Sequence, residues 1–288
     1  MTTRQMAPLS NNPGAEFVVL RKDDLRQFVE ILMIDYDVIA PILSDQVKGR
    51  AITFAKLRSF EDLALGYVDS QRPGNYRLHK ADDGSCLRFG NPETSIKWFL
   101  HPPRLVMWTA DVAADGFKIE EEMGPQRPLA FFRTTACDWQ AAYLLDRTFM
   151  GDTVDSHYRK RRENALFVTC TCTRAGGTCF CHDMGAGPVP NPGYDINMIE
   201  IDDSFLLEAG TERGRAIMAR LPVQPATPAL LDEARSVVEL VIEKTSGRLN
   251  TEGLPDRLSQ GLDHPQWEVM KDRCLGCSNC TAVCPTCF

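Results

Sequence analysis

Apolar positions in residues 1–222 alternate between short continuous runs and one-sided helical spacing. Strand-like runs occupy 17–20, 38–43, 51–55, 128–134, 166–169, 196–201 and 204–208. Helical spacing begins after Asp24 and returns over 139–150 and near Thr211. Because strands and helices interleave, we predict a mixed α/β body of the α+β class over residues 1–222.

The remaining residues, 223–288, show a different pattern. Prolines at 222, 225 and 228 predict a linker over 223–228, and Pro228 opens a long amphipathic helix. A short helix over 254–262 and a last helix that contains Trp267 then lead into Cys274. We therefore expect a helical linker followed by a small C-terminal domain.

That C-terminal domain carries the most specific motif of the chain. Its thiols follow the spacing C-x2-C-x2-C-x3-C-P, with Cys274, Cys277, Cys280 and Cys284 before Pro285. Bacterial ferredoxins bind [4Fe-4S] clusters through this run, whereas zinc motifs usually consist of two separated cysteine pairs. The spacing predicts a ferredoxin-like domain in which these four cysteines are metal ligands that bind an iron–sulfur cofactor.

A second group of thiols lies between two predicted strands. It comprises Cys170, Cys172, Cys179 and Cys181, interrupted by a Gly-Gly pair at 176–177. Adjacent glycines predict a tight loop whose backbone closely approaches another part of the molecule. Cys137 is predicted at a strand-to-helix turn, where the positive end of a helix favours the thiolate form.

From the residues, three interpretations of this second group stay open. It could hold another [4Fe-4S] cluster with Cys137 as the fourth ligand, or a zinc ion through four thiolates. A redox-active thiol pair is the weakest interpretation, because C-x-x-C at a helix start is absent from this group. Cys86 stands alone and is interpreted as a small buried apolar residue.

Composition and charge restrict the partners and the compartment. The chain has 288 residues, 11 cysteines, 43% apolar residues and a net charge of −7. The negative charge argues against nucleic acid or an anionic membrane surface as a partner. No signal peptide is recognised, and charged residues and Pro41 interrupt the apolar stretch 28–43, so no membrane span is predicted. Together with the metal-type thiols, this indicates the reducing cytoplasm.

Motifs for substrate chemistry are missing from the sequence. No Ser/His/Asp arrangement, no phosphate-binding G-x-x-x-x-G-K and no G-x-G-x-x-G opening a helix are recognised. We predict no catalytic residue and no NAD site in this chain. The basic cluster at 158–162 is interpreted as a solvated loop or as a docking patch for an acidic partner.

Several long motifs carry a resemblance to a known family. They are Cys137-Asp138 at a helix start, Leu145-Asp-Arg147, Asp155-Ser-His-Tyr158, Arg161-Arg-Glu163, Thr178-Cys-Phe-Cys-His-Asp-Met-Gly-Ala-Gly-Pro188, Gly193-Tyr-Asp195 and His264-Pro-Gln-Trp267. Over about residues 90–288 the chain resembles the iron–sulfur beta subunit of cytoplasmic sulfhydrogenases, which are NAD(P)-linked [NiFe] hydrogenases. The electron-transfer subunit of anaerobic sulfite reductase is similar to the same pattern.

The resemblance implies a non-catalytic electron-transfer subunit of an oxidoreductase complex. It would relay electrons between a flavin subunit that binds NAD(P)H and the [NiFe] hydrogenase small and large subunits, or sulfite reductase subunits in the alternative. The family pattern implies Cys137, Cys172, Cys179 and Cys181 as one ligand set and leaves Cys170 spare. A zinc-stabilised scaffold without a redox role is the competing hypothesis.

The end of the chain departs from the family, whose members continue into a second cysteine motif. In two-cluster ferredoxins, the fourth cysteine of this run binds the other cluster. By that pattern, Cys274, Cys277 and Cys280 bind one cluster and Cys284 binds another. Either Cys284 or Cys287 closes a single cluster, or the chain is a truncated form. We expect truncation.

Overall fold

Strands and helices alternate through the part of the chain that the structure describes, a computed structural model covering residues 8–44, 51–113, 116–121, 124–284 and 287. The strands are β1 (Phe17–Arg21), β2 (Asp37–Leu43), β3 (Ile52–Lys56), β4 (Tyr67–Arg72), β5 (Asn75–Lys80), β6 (Trp108–Ala113), β7 (Gly116–Glu121), β8 (Leu129–Thr135), β9 (Leu166–Cys170), β10 (Ile196–Ile201), β11 (Ser204–Ala209) and β12 (Gln224–Pro225). The helices are α1 (Leu25–Asp35), α2 (Lys97–Leu100), α3 (Ala136–Phe149), α4 (Ser156–Glu163), α5 (Glu212–Met218), α6 (Pro228–Thr245), α7 (Leu254–Gln260), α8 (Gln266–Arg273) and α9 (Asn279–Val283).

Eight strands form one mixed sheet in the order β12-β1-β11-β10-β9-β8-β2-β3. The four central strands, β10, β9, β8 and β2, run parallel to one another. Beyond them, β11 pairs antiparallel with β10 on one side, and β3 pairs antiparallel with β2 on the other. Every residue of β8, β9 and β10 is buried, as expected for strands covered on both faces. The α+β body predicted from the sequence is confirmed.

Alternate residues of the central strands point into two separate cores. Phe132 packs edge-on against Phe28 of α1, with the ring centres 5.7 Å apart. Its neighbour Phe131 points to the other face, where its ring stacks on Phe167 at 4.9 Å. A third core lies under α6, where Val238 packs with residues of β10 and β11. Burying each such side chain contributes about 2 kcal/mol.

The predicted linker at 223–228 takes part in the main sheet. Its strand β12 pairs with β1, and α6 covers the same sheet through Ala234 and Val238. Residues up to 245 therefore lie on the body. The division into two domains at residue 222 stays a prediction.

One expectation for a connecting segment was wrong. The basic cluster lies in helix α4 and is not a solvated loop, because Tyr158 and Arg161 are buried and Arg162 donates from Nε to Asp146 at 2.9 Å. The segment 95–108 packs on the core as far as Leu100, and beyond it leads into an exposed hairpin of β6 and β7. Among the described residues, no helix is long and apolar enough to cross a membrane.

Candidate metal centre

The parallel pairing of β8 and β9 brings two of the predicted ligands together. Thr135 at the end of β8 pairs with Cys170 at the end of β9. Two residues further along each strand, Cys137 begins α3 and Cys172 begins the loop that leads to β10. The carboxyl ends of parallel strands meet at one edge of a sheet, which is where α/β proteins place their ligands.

Local hydrogen bonds hold Cys137 at the start of α3. Thr135 caps the helix by accepting from the Asp138 backbone N–H at 3.3 Å, while Asp138 Oδ2 accepts from the Thr135 backbone N–H at 3.2 Å. Such a cap stabilises the helix by about 1 kcal/mol. The Cys137 sulfur accepts a hydrogen bond from Asn91 Nδ2 at 3.2 Å.

The surroundings of Cys137 oppose the thiolate form that its place at a helix start was expected to favour. Burial, followed by the negative charge of Asp138, raises the pKa of Cys137 above its ordinary value. Removal from water disfavours the charged form of a thiol.

The Gly-Gly pair packs as the sequence predicted. A side chain at Gly177 would place its Cβ 2.0 Å from the backbone oxygen of Gln71 on β4, so the β4–β5 hairpin lies directly against the cysteine loop. Gly187 is also confined, since a Cβ there would lie 3.2 Å from Cys181 Sγ and from the Ala136 side chain. Glycine at both positions permits the close approach that brings the loop onto the start of α3.

Charge interactions among the thiols show which of them are neighbours. Burial first, and then Cys170, Cys137 and Cys181, raises the pKa of Cys172 well above its ordinary value. Burial, Cys137 and Cys179 raise the pKa of Cys181 to about 11. Cys137, Cys172, Cys179 and Cys181 thus lie at the same end of the sheet, where Cys170 is also a neighbour of Cys172, and their roles as ligands stay a prediction. Within the described ranges, no group of three or more Cys, His, Asp or Glu side chains is set to hold a metal ion.

Cys170 and Cys86, the thiols of the body outside this set, pack against the main core. Cys170 is 5% exposed and belongs to the main core, and its sulfur donates to the Thr171 carbonyl at 3.5 Å. Cys86 packs against the same core, and burial raises its pKa to about 12. Cys86 is only half-buried and lies near the carboxylate of Glu200, so its role as a small buried apolar residue stays a prediction.

A buried arginine lies beside the cysteine group. Arg133 sits at an irregularity in the pairing of β8 with β9 and has a left-handed φ of 60°. Its guanidinium stacks over Phe89 and donates to the carbonyls of Leu87, Phe89 and Gly90. These bonds hold the segment that carries Asn91, the donor to Cys137. The charge of Arg133 also opposes the rise in the pKa values of Cys170 and Cys172.

The chemistry of this donor set fits an iron–sulfur cluster or another thiophilic metal centre. Clustered cysteine sulfurs are soft ligands, and they bind metal only as thiolates. Their protons must therefore leave when a metal centre enters. Asn91 already provides a hydrogen bond to one sulfur, and Arg133 provides a nearby positive charge.

The C-terminal cysteine run is arranged differently. Cys274 ends α8, Cys280 lies on α9, and Cys274, Cys277 and Cys280 are exposed. The loop between the helices turns sharply through Gly276 and Ser278, both of which have left-handed backbones. Pro285 lies outside the described residues.

Two contacts connect this C-terminal segment to the body. Lys97 Nζ donates to the Cys284 carbonyl at 2.8 Å and also to that of Cys287. On the other side, Asp183 of the cysteine loop accepts the backbone N–H groups of 247–249, each at 2.8 Å. Arg248 adds a hydrogen bond from Nη1 to the Gly177 carbonyl at 2.8 Å. The two cysteine regions are therefore tied to one framework.

Sequence reasoning missed Asn91, Arg133 and Gln71 as parts of the site. The turn signal Phe89-Gly-Asn-Pro was visible, but it pointed to a loop and not to the sulfur beside it. Arg133 lies within a continuous buried strand, and a charged residue in such a run is itself a signal of a special environment.

No family model matches the chain. The chain is similar to the sulfhydrogenase 2 subunit beta of Pyrococcus furiosus, with 29% identity over 177 residues, which is 59% of this chain and 52% of the relative. The resemblance to a sulfhydrogenase beta subunit is confirmed. The chain spans about half the length of the curated relative it matches.

A solved chain from the F420-reducing [NiFe] hydrogenase complex of Methanosarcina barkeri is also similar. The match covers 90% of this chain and 97% of that chain, with 11% identity and a TM-score of 0.37. A likeness at that level carries no argument about the site.

Proposed function

We propose that this chain is an iron–sulfur electron-transfer subunit of a hydrogenase complex. It relays electrons between a flavin subunit that binds NAD(P)H and a [NiFe] module. The observation that carries the proposal is the ferredoxin spacing of Cys274, Cys277, Cys280 and Cys284. The similarity to the sulfhydrogenase 2 subunit beta supports the hydrogenase assignment.

Two groups of thiols would hold the clusters. The C-terminal run binds one [4Fe-4S] cluster, and Cys137, Cys172, Cys179 and Cys181 bind a second. When bound, these clusters supply one-electron transfer with little change in shape. Cys284 or Cys287 completes the first set, or a continuation of the chain does so.

The protein's own residues prepare the second site. The glycines at 176 and 187 allow the backbone to approach the thiols closely, and Gly177 allows the loop to lie against the β4–β5 hairpin. Asn91 donates to Cys137, and a donor to sulfur stabilises the reduced, more negative form of a cluster. Arg133 is a fixed positive charge that favours thiolates over thiols at this end of the sheet.

The chain itself needs no general base for such a role. We propose that it acts in the cytoplasm, with its body and its C-terminal cysteine segment as two functional units. Lys97 connects them by contacting the carbonyls of the C-terminal loop. Electrons would enter through one cysteine group and leave through the other toward the partner.

Anaerobic purification of the full chain tests the proposal. We expect a brown protein with iron and acid-labile sulfide, and a paramagnetic signal after reduction. Cys277→Ser should remove the C-terminal cluster and abolish transfer from NAD(P)H to the hydrogenase partner. Cys86→Ala, which deletes a thiol outside both groups, should keep the full iron content.

Other outcomes would select other functions. A colourless protein that holds zinc alone would contradict the electron-transfer role and support a zinc-stabilised scaffold. An iron-containing protein that couples to a sirohaem partner instead of a [NiFe] partner would assign it to a sulfite reductase complex.

A further inference from the structure

The hairpin of β6 and β7 stands apart from the rest of the fold. These strands form a two-stranded sheet of their own and do not pair with the main sheet. An isolated two-stranded hairpin is marginally stable in water and normally needs a third strand or a packing partner. The β6–β7 hairpin is therefore expected to pack against a partner.

The register separates the hairpin into an apolar face and a polar face. Directly opposite residues of an antiparallel pair share a face, and the pairs on one face are Trp108 with Glu121, Ala110 with Ile119, and Val112 with Phe117. The other face carries the pairs Thr109 with Glu120 and Asp111 with Lys118. One-sided patterning of this kind is typical of a strand pair that buries one face.

The apolar face is nevertheless open to solvent. The exposed fractions are 67% for Trp108, 86% for Val112, 70% for Phe117 and 58% for Ile119. Val106 and Met107, just before the hairpin, are also about half exposed. Contiguous exposed apolar side chains including a Trp and a Phe are characteristic of the centre of a protein interface.

Charge identifies the kind of partner. Asp111, Glu120 and Glu121 outnumber Lys118, which pairs with Glu120, so the ribbon is acidic around its apolar face. The whole chain is also negative, at −7. A second copy of the chain or an anionic membrane would bring like charge to this surface, whereas a basic surface would be attracted.

We infer that the apolar face of the β6–β7 ribbon docks into an apolar groove, rimmed by Lys or Arg, on another subunit of the hydrogenase complex. The inference rests on the proposed function for the existence of such a complex. A standard interface buries about 800 Å² per partner, and the six exposed apolar side chains from Val106 to Ile119 can supply a large share of that area. Trp108 and Phe117 are the expected anchors.

The test uses the full chain produced together with the hydrogenase subunits encoded in its own genome. The double variant Trp108→Ser/Phe117→Ser should bind these subunits at least about tenfold more weakly than the unaltered chain. The matched control, Ile34→Ser/Leu240→Ser, removes apolar side chains that are 67% and 55% exposed elsewhere, and it should bind normally. The single variant Glu121→Lys should also bind more weakly than the unaltered chain, because the new lysine repels a basic rim. The loss should be larger at low salt, where charges are less screened.

A readout on the unaltered chain avoids dependence on any variant's folding. Amide hydrogen exchange of 108–113 and 116–121 should slow in the complex and stay fast in the free chain. Equal binding by the ribbon variant, unchanged exchange, or self-association of the chain through this face would overturn the inference. If the unaltered chain, with its iron present, binds none of the hydrogenase subunits, then the proposed function fails first.

Discussion

At the scale of single residues, the second cysteine group depends on polar side chains that are not ligands. Asn91 donates to the Cys137 sulfur at 3.2 Å, and Thr135 Oγ1 donates to Asn91 Oδ1 at 3.0 Å. Asn91 therefore lies with its amide within hydrogen-bond reach of both the sulfur and the Thr135 hydroxyl. Hydrogen bonds to cluster sulfurs are a main determinant of reduction potential.

Asn91→Leu should lower the reduction potential of the second cluster. Loss of the amide donor removes an interaction that favours the more negative, reduced form. A redox titration followed by electron paramagnetic resonance measures the change. Asn164→Leu, which alters an exposed amide at the end of α4, should leave the potential unchanged. An unshifted potential in Asn91→Leu would show that the bond to Cys137 has no electronic role.

Arg133→Lys should destabilise the body by about 2–4 kcal/mol. Lysine keeps the charge and meets the same left-handed backbone, but its ammonium cannot reach the carbonyls of Leu87, Phe89 and Gly90 together. Urea unfolding of the protein measures the loss. Arg235→Lys, on the surface of α6, is the matched control and should change stability little. Equal stability of both variants would contradict the clamping role.

These residues mark the limit of what the chain alone predicts. The strands β8, β9 and β10 were predictable because each is a short, mostly apolar stretch that is covered on both faces. Arg133 was not, because its role comes from a shift in strand register and a left-handed φ. Asn91 was not, because it lies 46 residues from Cys137 in the sequence and meets it through the fold.

At the scale of elements, the cysteine loop is joined to the segment that follows α6. Asp183 accepts the N–H groups of Gly247, Arg248 and Leu249, and Arg248 donates back to the Gly177 carbonyl. Three converging N–H groups make a binding site for one carboxylate. The chain leading to the C-terminal cysteines is therefore anchored on the loop of the second group.

Acid should release this anchor before the sheet unfolds. The N–H groups of Leu249, Gly247 and Arg248 lower the pKa of Asp183 below its ordinary value of 3.8. The contact is therefore complete above 3.8 and is lost as the pH falls through the lower native value. Amide exchange, corrected for intrinsic rates, should show protection at 247–249 declining before protection in β8 and β9.

Asp183→Ala should remove the same protection at neutral pH and abolish its acid dependence. Asp152→Ala, in an exposed loop, is the control and should retain both. If the 247–249 amides and the sheet amides lose protection together on acidification, the anchor has no separate equilibrium.

The elements that were not predicted from the sequence are those whose packing partner lies elsewhere in the chain or outside it. The hairpin of β6 and β7 alternates apolar and polar residues, but the apolar face has no counterpart within the described body. The small strand β12 contains Pro225 in a segment that suggested a linker. Sequence patterns indicate how an element is built, whereas its neighbour is decided by packing elsewhere in the chain or in another subunit.

At the scale of the whole molecule, the contact of Lys97 brings α2 to the C-terminal cysteine segment. Lys97 is buried, and its ammonium donates to the Cys284 and Cys287 carbonyls. Because Cys274, Cys277 and Cys280 are exposed, this contact and the Asp183 anchor help to hold the segment in place. The body thus takes part in setting the position of the C-terminal cysteines.

Lys97→Met should loosen the C-terminal cysteine segment without removing its iron. A hydrogen bond from a charged donor contributes about 1.5–3 kcal/mol, so loss of the contact to Cys284 should weaken docking by about that amount. Methionine preserves the apolar stem, which keeps α2 packed. Pulsed electron paramagnetic resonance between the two reduced clusters should show a broader distance distribution, and amide exchange at 274–284 should accelerate.

Lys160→Met, on the surface of α4, should show neither effect. A narrow, unchanged distribution in Lys97→Met would mean that the C-terminal cysteines are held by something other than this lysine, and the body would lose its assigned part in positioning them.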